Sequence, residues 1–235
     1  MTQIRRRSEI SGRAAGRRPG RPEGGGTGDN TSERILDAAE EVFAEVGYSG
    51  ATLRMVAARA DVTQALINYY FGSKYGLYEA VFIRRGRVIS EGRMKLLEEL
   101  KQRDDVSVRD VVKAFLAPTI ALRDTPGGRL FLRLQARLHT EPADISYKLR
   151  GEAYDASTRA YVQMMAKVCP QLSAKEVNWR MALMIGAYMY AFSDTHRLEQ
   201  LAPDVCDVND TDEVFEQITA FVTAGIAAPP GSDAL

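Results

Sequence analysis

The sequence predicts an all-α protein, and three observations carry the prediction. Apolar residues return at spacings of three and four through most of the chain after residue 30, as helices with one packed face require. Ser, Thr, Asn or Asp stand just ahead of those runs, while Gly or Pro close many of them. No segment alternates apolar and polar residues at the period of a half-buried strand. About nine helices are expected in two units: an N-terminal three-helix unit with a helix-turn-helix, and a larger C-terminal helical unit.

Residues 1–29 stand apart. They are rich in Arg, Gly, Pro and Ser and nearly lack apolar side chains, so they cannot bury enough surface to offset ordering entropy; a disordered basic arm is expected. From Met1 to Pro22 seven arginines face the single acid Glu9, a local charge of +6 in a chain whose formal net charge is +0. Residues 23–80 hold four basic and nine acidic residues, a local charge of −5. Within the arm, "RRPGRP" (Arg17 to Pro22) is similar to the core of an AT-hook, in which arginines meet the negative potential of a narrow minor groove. Arg18 and Arg21 are therefore candidate DNA contacts; the alternative is a solubilising tail.

Order is expected from Asn30, which has the capping-box spacing with Glu33. Ile35, Leu36, Ala39, Val42, Phe43 and Val46 then keep one apolar face, and Gly47 supplies a stop. Thr52 caps a short second helix whose Leu53, Val56, Ala57 and Ala60 face inward. The turn "ADV" follows, and Thr63 caps a third helix ending at Phe71 and Gly72. Two short helices across a tight turn, supported by the first, make a helix-turn-helix over residues 30–75.

The second unit is expected over residues 76–228. Ser73 opens a fourth helix, Lys74 to about Gln102, roughly 40 Å long at ~1.5 Å per residue. Leu77, Val81, Val88, Leu96 and Leu100 give it an apolar face, and Gly76, Gly86 and Gly92 are points where it can bend. Ser107 starts another helix, kinked by Pro118. Arg129 to Glu141 forms the next, and Pro142 suits the first turn of one running to Cys169. "SAKE" (Ser173 to Glu176) is a capping box opening a long helix to about Leu198. "DTDE" (Asp210 to Glu213) opens a last helix through Val222, and residues 229–235 are expected to be a flexible end.

Bulk properties exclude several classes. With 45% hydrophobic and 26% charged residues the chain has the composition of a soluble globular protein, and no apolar run approaches a membrane span. The basic N-terminus has no apolar stretch behind it, so no secretory signal is expected and the cytoplasm is the default location. Cys169 and Cys206 are too few for a disulfide framework, and with His139 and His196 they lack metal-ligand spacing, so no metal or other cofactor is expected. Neither a Gly-rich phosphate loop nor a nucleophile with a nearby base occurs, and no catalytic residue is assigned.

The stretch "TQALINYYFGSK" (Thr63 to Lys74) carries the chemistry. Tyr69, Tyr70 and Phe71 point about 100° apart around a helix, so at least one ring must face outward. A helix of this size fits the ~12 Å major groove. Thr63 and Gln64 can bond base edges, Ala65 allows close approach or touches a thymine methyl, and Asn68 can pair bidentately with adenine. Tyr69 and Tyr70 can bond phosphates, as can Thr52 across the groove. Lys74 adds a cation where the fourth helix offers free N–H groups. Thr52, Thr63 and Ser73 remain caps whatever else they touch.

Residues 35–82, "ILDAAEEVFAEVGYSGATLRMVAARADVTQALINYYFGSKYGLYEAVF", resemble the DNA-binding domain of the TetR family of transcriptional repressors. The shared features are the "IL-A-A-F-G" first helix, Thr at the second helix, "A" then "V-[ST]" through the turn, and "YF-SK-L" into the fourth helix. Asp61 departs from the usual Gly of the turn, and Asn68 stands where Tyr is common. "NYYFGSK", together with Glu141-Pro142 and "LSAKEVNWRMALMIGA", is similar to the fatty-acid-responsive PsrA-type branch. The resemblance implies a homodimer formed by the last two helices, here 173–198 and 210–227. It also implies an effector cavity among the middle helices, and an effector that shifts the fourth helix and parts the recognition helices.

For the effector, Arg133, Arg137, His139, Asp194 and His196 are the polar candidates, with Tyr154, Trp179, Met184 and Tyr188 as wall residues. Arg133 sits in "LFLRLQARL", where its neighbours argue for burial and for an anionic partner, which is either a carboxylate-bearing or CoA-like effector or an internal acid. Tyr147, Tyr154 and Tyr161 recur every seven residues on one helix face; core packing explains them as readily as a ligand does. The expected function is a ligand-responsive homodimeric repressor, released from a palindromic double-stranded DNA operator by a small, largely apolar effector. An architectural protein of AT-rich DNA and an all-α enzyme are the alternatives.

Overall fold

The computed structural model describes residues 27–193 and 196–230. Among these the chain forms ten α-helices and no strand: α1 (Thr27–Gly50), α2 (Leu53–Ala60), α3 (Gln64–Phe71), α4 (Lys74–Lys101), α5 (Val108–Ile120), α6 (Gly128–Arg137), α7 (Ala143–Val168), α8 (Ala174–Phe192), α9 (Arg197–Leu201) and α10 (Thr211–Ala227). Short 3₁₀ turns, Ala121–Asp124 and Leu138–Thr140, flank α6. The arm residues Arg18 and Arg21, the Asp194 candidate and the end from 231 lie outside the described residues.

Side-chain caps set most boundaries. Thr52, Thr63 and Ser73 accept from the backbone N–H groups of Met55, Leu66 and Gly76, satisfying donors the first helical turn leaves free. Ser107 with Asp110 and Ser173 with Glu176 form reciprocal capping boxes, and Asp210 accepts from Asp212 and Glu213. The expected box at Asn30 is absent, because α1 begins at Thr27 and Asn30 lies inside it. Once the packed face holds the helix, each added residue needs one more hydrogen bond, and no proline interrupts the stretch ahead of Ile35. Gly47 ends the regular helical path with φ 74°, and Asp61 takes the left-handed turn at φ 50°, a conformation Asp tolerates better than most residues.

The core is continuous from the first helix into the second unit. Phe43 meets the Tyr78 ring edge-on at 4.7 Å, Tyr78 meets Phe82 at 4.9 Å and Phe82 meets Phe131 at 5.6 Å, so α4 carries one aromatic ladder from α1 to α6. The inward face of α4 differs from the expected one. Val88 is exposed, and Ile89, Arg93 and Leu97 face the core, on the i, i+4 line that continues from Val81. Gly86 and Gly92 allow close helix approach: a Cβ on Gly86 would lie 2.8 Å from that of Ala153, and one on Gly92 2.9 Å from that of Pro118.

Three further expectations are corrected. Arg133 is exposed, since Phe131, Leu132, Leu134 and Gln135 occupy the buried arc of α6 around it. Tyr147 is exposed at the start of α7 whereas Tyr154 and Tyr161 are buried. The helix opened by Ser173 stops at Phe192 and not near Leu198; His196, with φ 55°, precedes the short α9.

Candidate nucleic-acid interface and effector cavity

Only Ile67 of α3 is fully buried, and the partly buried Phe71 also packs against the core at the end of the helix. The opposite face carries Gln64, Ala65, Asn68 and Tyr69, all exposed, with Tyr69 reaching 81%. Tyr70 is exposed beside it, the two rings meeting edge-on at 5.4 Å. The Thr52 and Thr63 oxygens accept their capping bonds and keep their hydroxyl protons available to an outside acceptor. Seven of these candidates, Thr52, Thr63, Gln64, Ala65, Asn68, Tyr69 and Tyr70, are thus exposed around the two short helices.

Lys74 is placed differently. Its ammonium donates to the carbonyls of Tyr48 at 2.8 Å and Ala51 at 2.9 Å, and stands 4.4 Å from the centre of the Tyr48 ring. Two of its three donors therefore tie the end of α1 to the start of α4. Arg54, overlooked in the sequence, is exposed on α2 next to Thr52 and forms no hydrogen bond or ion pair among the described residues.

Five acids of this unit, Glu33, Asp37, Glu40, Glu41 and Glu45, lie on α1, and Asp61 stands exposed in the turn after α2. Arg59 pairs with Glu41 and Glu45, while Arg84 reaches Glu33 at 3.0 Å, Asp37 at 2.8 Å and the buried Glu40 at 2.9 Å. Arg85 bonds Glu40 from a second side at 3.1 Å. The α1 acids are thus partly compensated by arginines of α2 and α4, while α3 contains no charged residue.

A cavity of about 320 Å³ lies among α4, α6, α7 and α8. The polar candidate His139 and the wall candidates Tyr154 and Tyr188 line it together. Arg133, Arg137, Trp179 and Met184 do not: Arg133 and Trp179 are exposed, Arg137 donates to the Glu45 carbonyl at 3.2 Å, and Met184 is buried between α8 and α10. His196 is exposed and pairs with Glu199 at 2.7 Å, away from this wall. The sequence reading missed Arg93, Gln135 and Arg150, which also line the cavity. For Arg93 a partial signal existed: on the line Val81, Arg85, Ile89, Arg93, Leu97 both cations stand between apolar neighbours, and only the structure separates Arg85, paired with Glu40, from Arg93.

Partial desolvation at the cavity wall and the nearby Arg150 hold the imidazole of His139, an exposed residue, below its usual pKa, favouring the neutral ring, whose Nδ1 lies 3.4 Å from the Arg150 guanidinium. Burial raises the Tyr154 phenol well above its ordinary value, so it remains a protonated donor. Among the described residues no cluster of His, Cys, Asp and Glu could hold a metal ion, and no helix is long and apolar enough to cross a membrane.

The wall segment following α6 faces two ways. Leu138 and His139 line the cavity, while Arg137 bonds the Glu45 carbonyl and Glu141 accepts the Tyr48 N–H at 3.0 Å. The Tyr48 residue is therefore held by Glu141 through its N–H and by Lys74 through its carbonyl.

A second uncovered face lies on α8 and α10. Trp179, Leu183 and Tyr190 recur on α8 near helical spacing and are 62%, 66% and 60% exposed, and Phe221 of α10 is 72% exposed. Cβ atoms on Gly186 and Gly225 would meet nothing within 4 Å.

Residues 35–81 match the family described as bacterial regulatory proteins, tetR family, and residues 113–225 match the tetracyclin repressor-like C-terminal domain. An uncharacterised HTH-type transcriptional regulator of Bacillus subtilis (strain 168), YvkB, is 35% identical over 91 residues, 32% of this chain and 48% of that protein. SrpR, an HTH-type transcriptional regulator of Pseudomonas putida, is 40% identical over 57 residues, 24% of this chain and 27% of that protein. The chain thus spans about half or less of the length of these curated relatives. Among solved structures, a TetR-like transcriptional regulator from Rhodococcus sp. RHA1 superposes with a TM-score of 0.54 at 17% identity, covering 84% of this chain and 96% of that one. The hemolysin II transcriptional regulator HlyIIR gives a TM-score of 0.58 at 19% identity, with 84% and 99% coverage. These structures share the fold.

Proposed function

We propose, from the premise that this chain belongs to the TetR family of DNA-binding transcriptional regulators, that it acts as a homodimeric repressor released from its operator by a small molecule. Residues 30–75 serve as the reading head and 76–228 as the effector and dimerisation unit. The single observation that carries the reading is the exposed face of α3, where Gln64, Ala65, Asn68 and the tyrosine pair stand clear of the core. Gln64 and Asn68 face base edges, and Thr52, Thr63, Tyr69 and Tyr70 bond flanking phosphates. Lys74 contributes chiefly by fixing the angle between α1 and α4, keeping one donor for phosphate. The basic arm, through Arg18 and Arg21, adds attraction that carries little sequence information.

The apolar faces of α8 and α10 pair with those of a second copy, as large uncovered apolar patches on a folded chain favour. Each dimer then offers two copies of α3, so half-sites should lie one or more helical turns apart, about 34 Å each. The effector occupies the cavity against His139, Tyr154 and Tyr188. To release DNA it must bind the DNA-incompetent arrangement more tightly. Two connections reach the reading head from the cavity: α4, which carries Arg93 and Lys74 on one rod, and the segment Arg137 to Glu141, which touches cavity and α1 alternately. Nothing in the family match extends to the PsrA-type branch.

Selection of duplexes from a random library by the purified full-length chain tests the reading. Enrichment of an inverted repeat is the expected result. Enrichment of AT-rich duplexes without symmetry would overturn it in favour of an architectural protein acting through the arm.

A further inference from the structure

We propose that the cavity takes a small organic monoanion, a carboxylic acid with an apolar body, whose carboxylate is the missing counter-charge of Arg93; this rests on the ligand-responsive reading above. Arg93 is 1% exposed, yet every partner it has is neutral. Its Nε donates to the Phe115 carbonyl at 2.9 Å, its Nη2 to the hydroxyls of Thr119 at 3.1 Å and Tyr188 at 3.3 Å, and the guanidinium lies 3.6 Å from the centre of the Phe115 ring. Nη1 makes no hydrogen bond among the described residues. A buried guanidinium without an anion is costly, and folded proteins pair such charges.

No protein acid fills that role. Asp155 is the one carboxylate lining the cavity, and it is bonded to Arg159 at 2.8 Å. Arg150, the second guanidinium on the wall, bonds the Ser146 carbonyl and faces neutral His139, so it too lacks a carboxylate. The wall therefore carries uncompensated positive charge.

Two more groups ask for a polar ligand. Gln135 is 2% exposed and its side chain interacts with the buried Tyr154 hydroxyl, but neither group has a well-formed hydrogen bond to any other protein group. Unsatisfied buried polar atoms are rare in native folds and call for an explanation. A carboxylate supplies acceptors for Arg93 Nη1, the Tyr154 hydroxyl and the Gln135 amide N–H together. The free Gln135 oxygen further favours an acid that also carries a hydroxyl or other donor. One fully buried cation matches a monoanion better than a phosphate dianion. Leu138, Ile185 and Met189 form an apolar wall for the body of the ligand, and about 320 Å³ sits at the small end of ligand pockets.

The test titrates the full-length chain by calorimetry and thermal shift with matched probes: octanoate against octanamide, benzoate against benzamide, salicylate, and inorganic phosphate. The expected result is that at least one acid binds about tenfold or more tightly than its amide, as a charge-assisted pair predicts. Arg93→Gln should erase that preference and Arg93→Lys should keep part of it. Should Arg93→Gln fail to fold, Tyr154→Phe must weaken acid binding while sparing the amide. Amides that match their acids, phosphate that outbinds them, no binding by any acid, or a preference surviving both variants would each overturn the proposal. Release of the selected duplex is measured in parallel. Amides that release DNA as well as acids leave the ligand-responsive reading standing and remove the acid. An acid that binds through Arg93 but leaves the DNA complex intact removes the regulatory reading and keeps the ligand class.

Discussion

Two helices of this chain, α3 and α8, both turn aromatic side chains away from the core, and the difference between them is instructive. On α3 the outward tyrosines are interleaved with Gln64, Asn68 and a threonine cap, and the helix rests on the core through buried Ile67 and partly buried Phe71. Such a face can exchange water hydrogen bonds for bonds to base edges and phosphates. On α8 the outward set is Trp179, Leu183 and Tyr190, with no amide among them, while one face of the helix is already buried through Val177, Met181, Met184, Tyr188 and Phe192. That face gains only by covering apolar area, at roughly 25 cal/mol per Å². On the proposed function, exposure alone does not separate a DNA contact from a protein contact; the polarity between the rings does.

The largest expected effect attacks the α8 side of this comparison. Leu183→Glu should convert the dimer to monomers in sedimentation equilibrium and weaken operator binding by roughly 10²–10⁴-fold, because the second half-site is no longer tethered. An unchanged molar mass would mean that α8 has been assigned the wrong partner. Lys74→Met comes next. Loss of its bonds to the Tyr48 and Ala51 carbonyls should lower stability by about 2–3 kcal/mol in denaturant unfolding. Full stability with reduced DNA affinity would instead make Lys74 purely a phosphate contact and move it to the α3 side of the comparison.

Asn68→Ala sharpens the α3 side. It should weaken specific operator binding by about 1–3 kcal/mol while leaving affinity for unrelated duplex nearly unchanged; equal losses on both would make Asn68 a backbone contact. The smallest effect lies away from both faces. Asp110→Asn removes half of the capping box at the start of α5 and should cost about 1 kcal/mol or less, without altering mass or operator affinity. The Ser107 hydroxyl and N–H hold the Asp110 carboxyl below its usual value, so its contribution is present above the ordinary carboxylate range and fades as pH falls through the depressed one. Unfolding curves of variant and parent should therefore converge in acid.

The helix starts at Thr52, Thr63, Ser73, Ser107, Ser173 and Asp210 were legible in the sequence because a cap bonds a backbone group two or three residues away. The outward turn of Tyr69 was legible for a similar reason, since three successive aromatics cannot share one face. The α4 face was misread at Val88 because a choice between Val88 and Ile89 turns on which way α5 and α7 approach. The sequence neighbours of Arg133 argue for burial, but its neighbours in space are solvent. The early end of α8 had no Gly or Pro to announce it.

By itself the sequence determined the helical class, the caps at Thr52, Thr63, Ser73, Ser107, Ser173 and Asp210 though not the one at Asn30, the turn at Asp61, the concentration of arginines in the first 22 residues and the mixed face of α3. All of these depend on residues within a turn or two of one another. Only the tertiary structure decided that Arg93 and not Arg133 is the buried cation, that Lys74 clamps α1, that Glu141 reaches Tyr48 across 93 positions, and that Gln135 and Tyr154 share one cavity. Those outcomes depend on which helix packs against which, and so on long-range burial that no local spacing encodes.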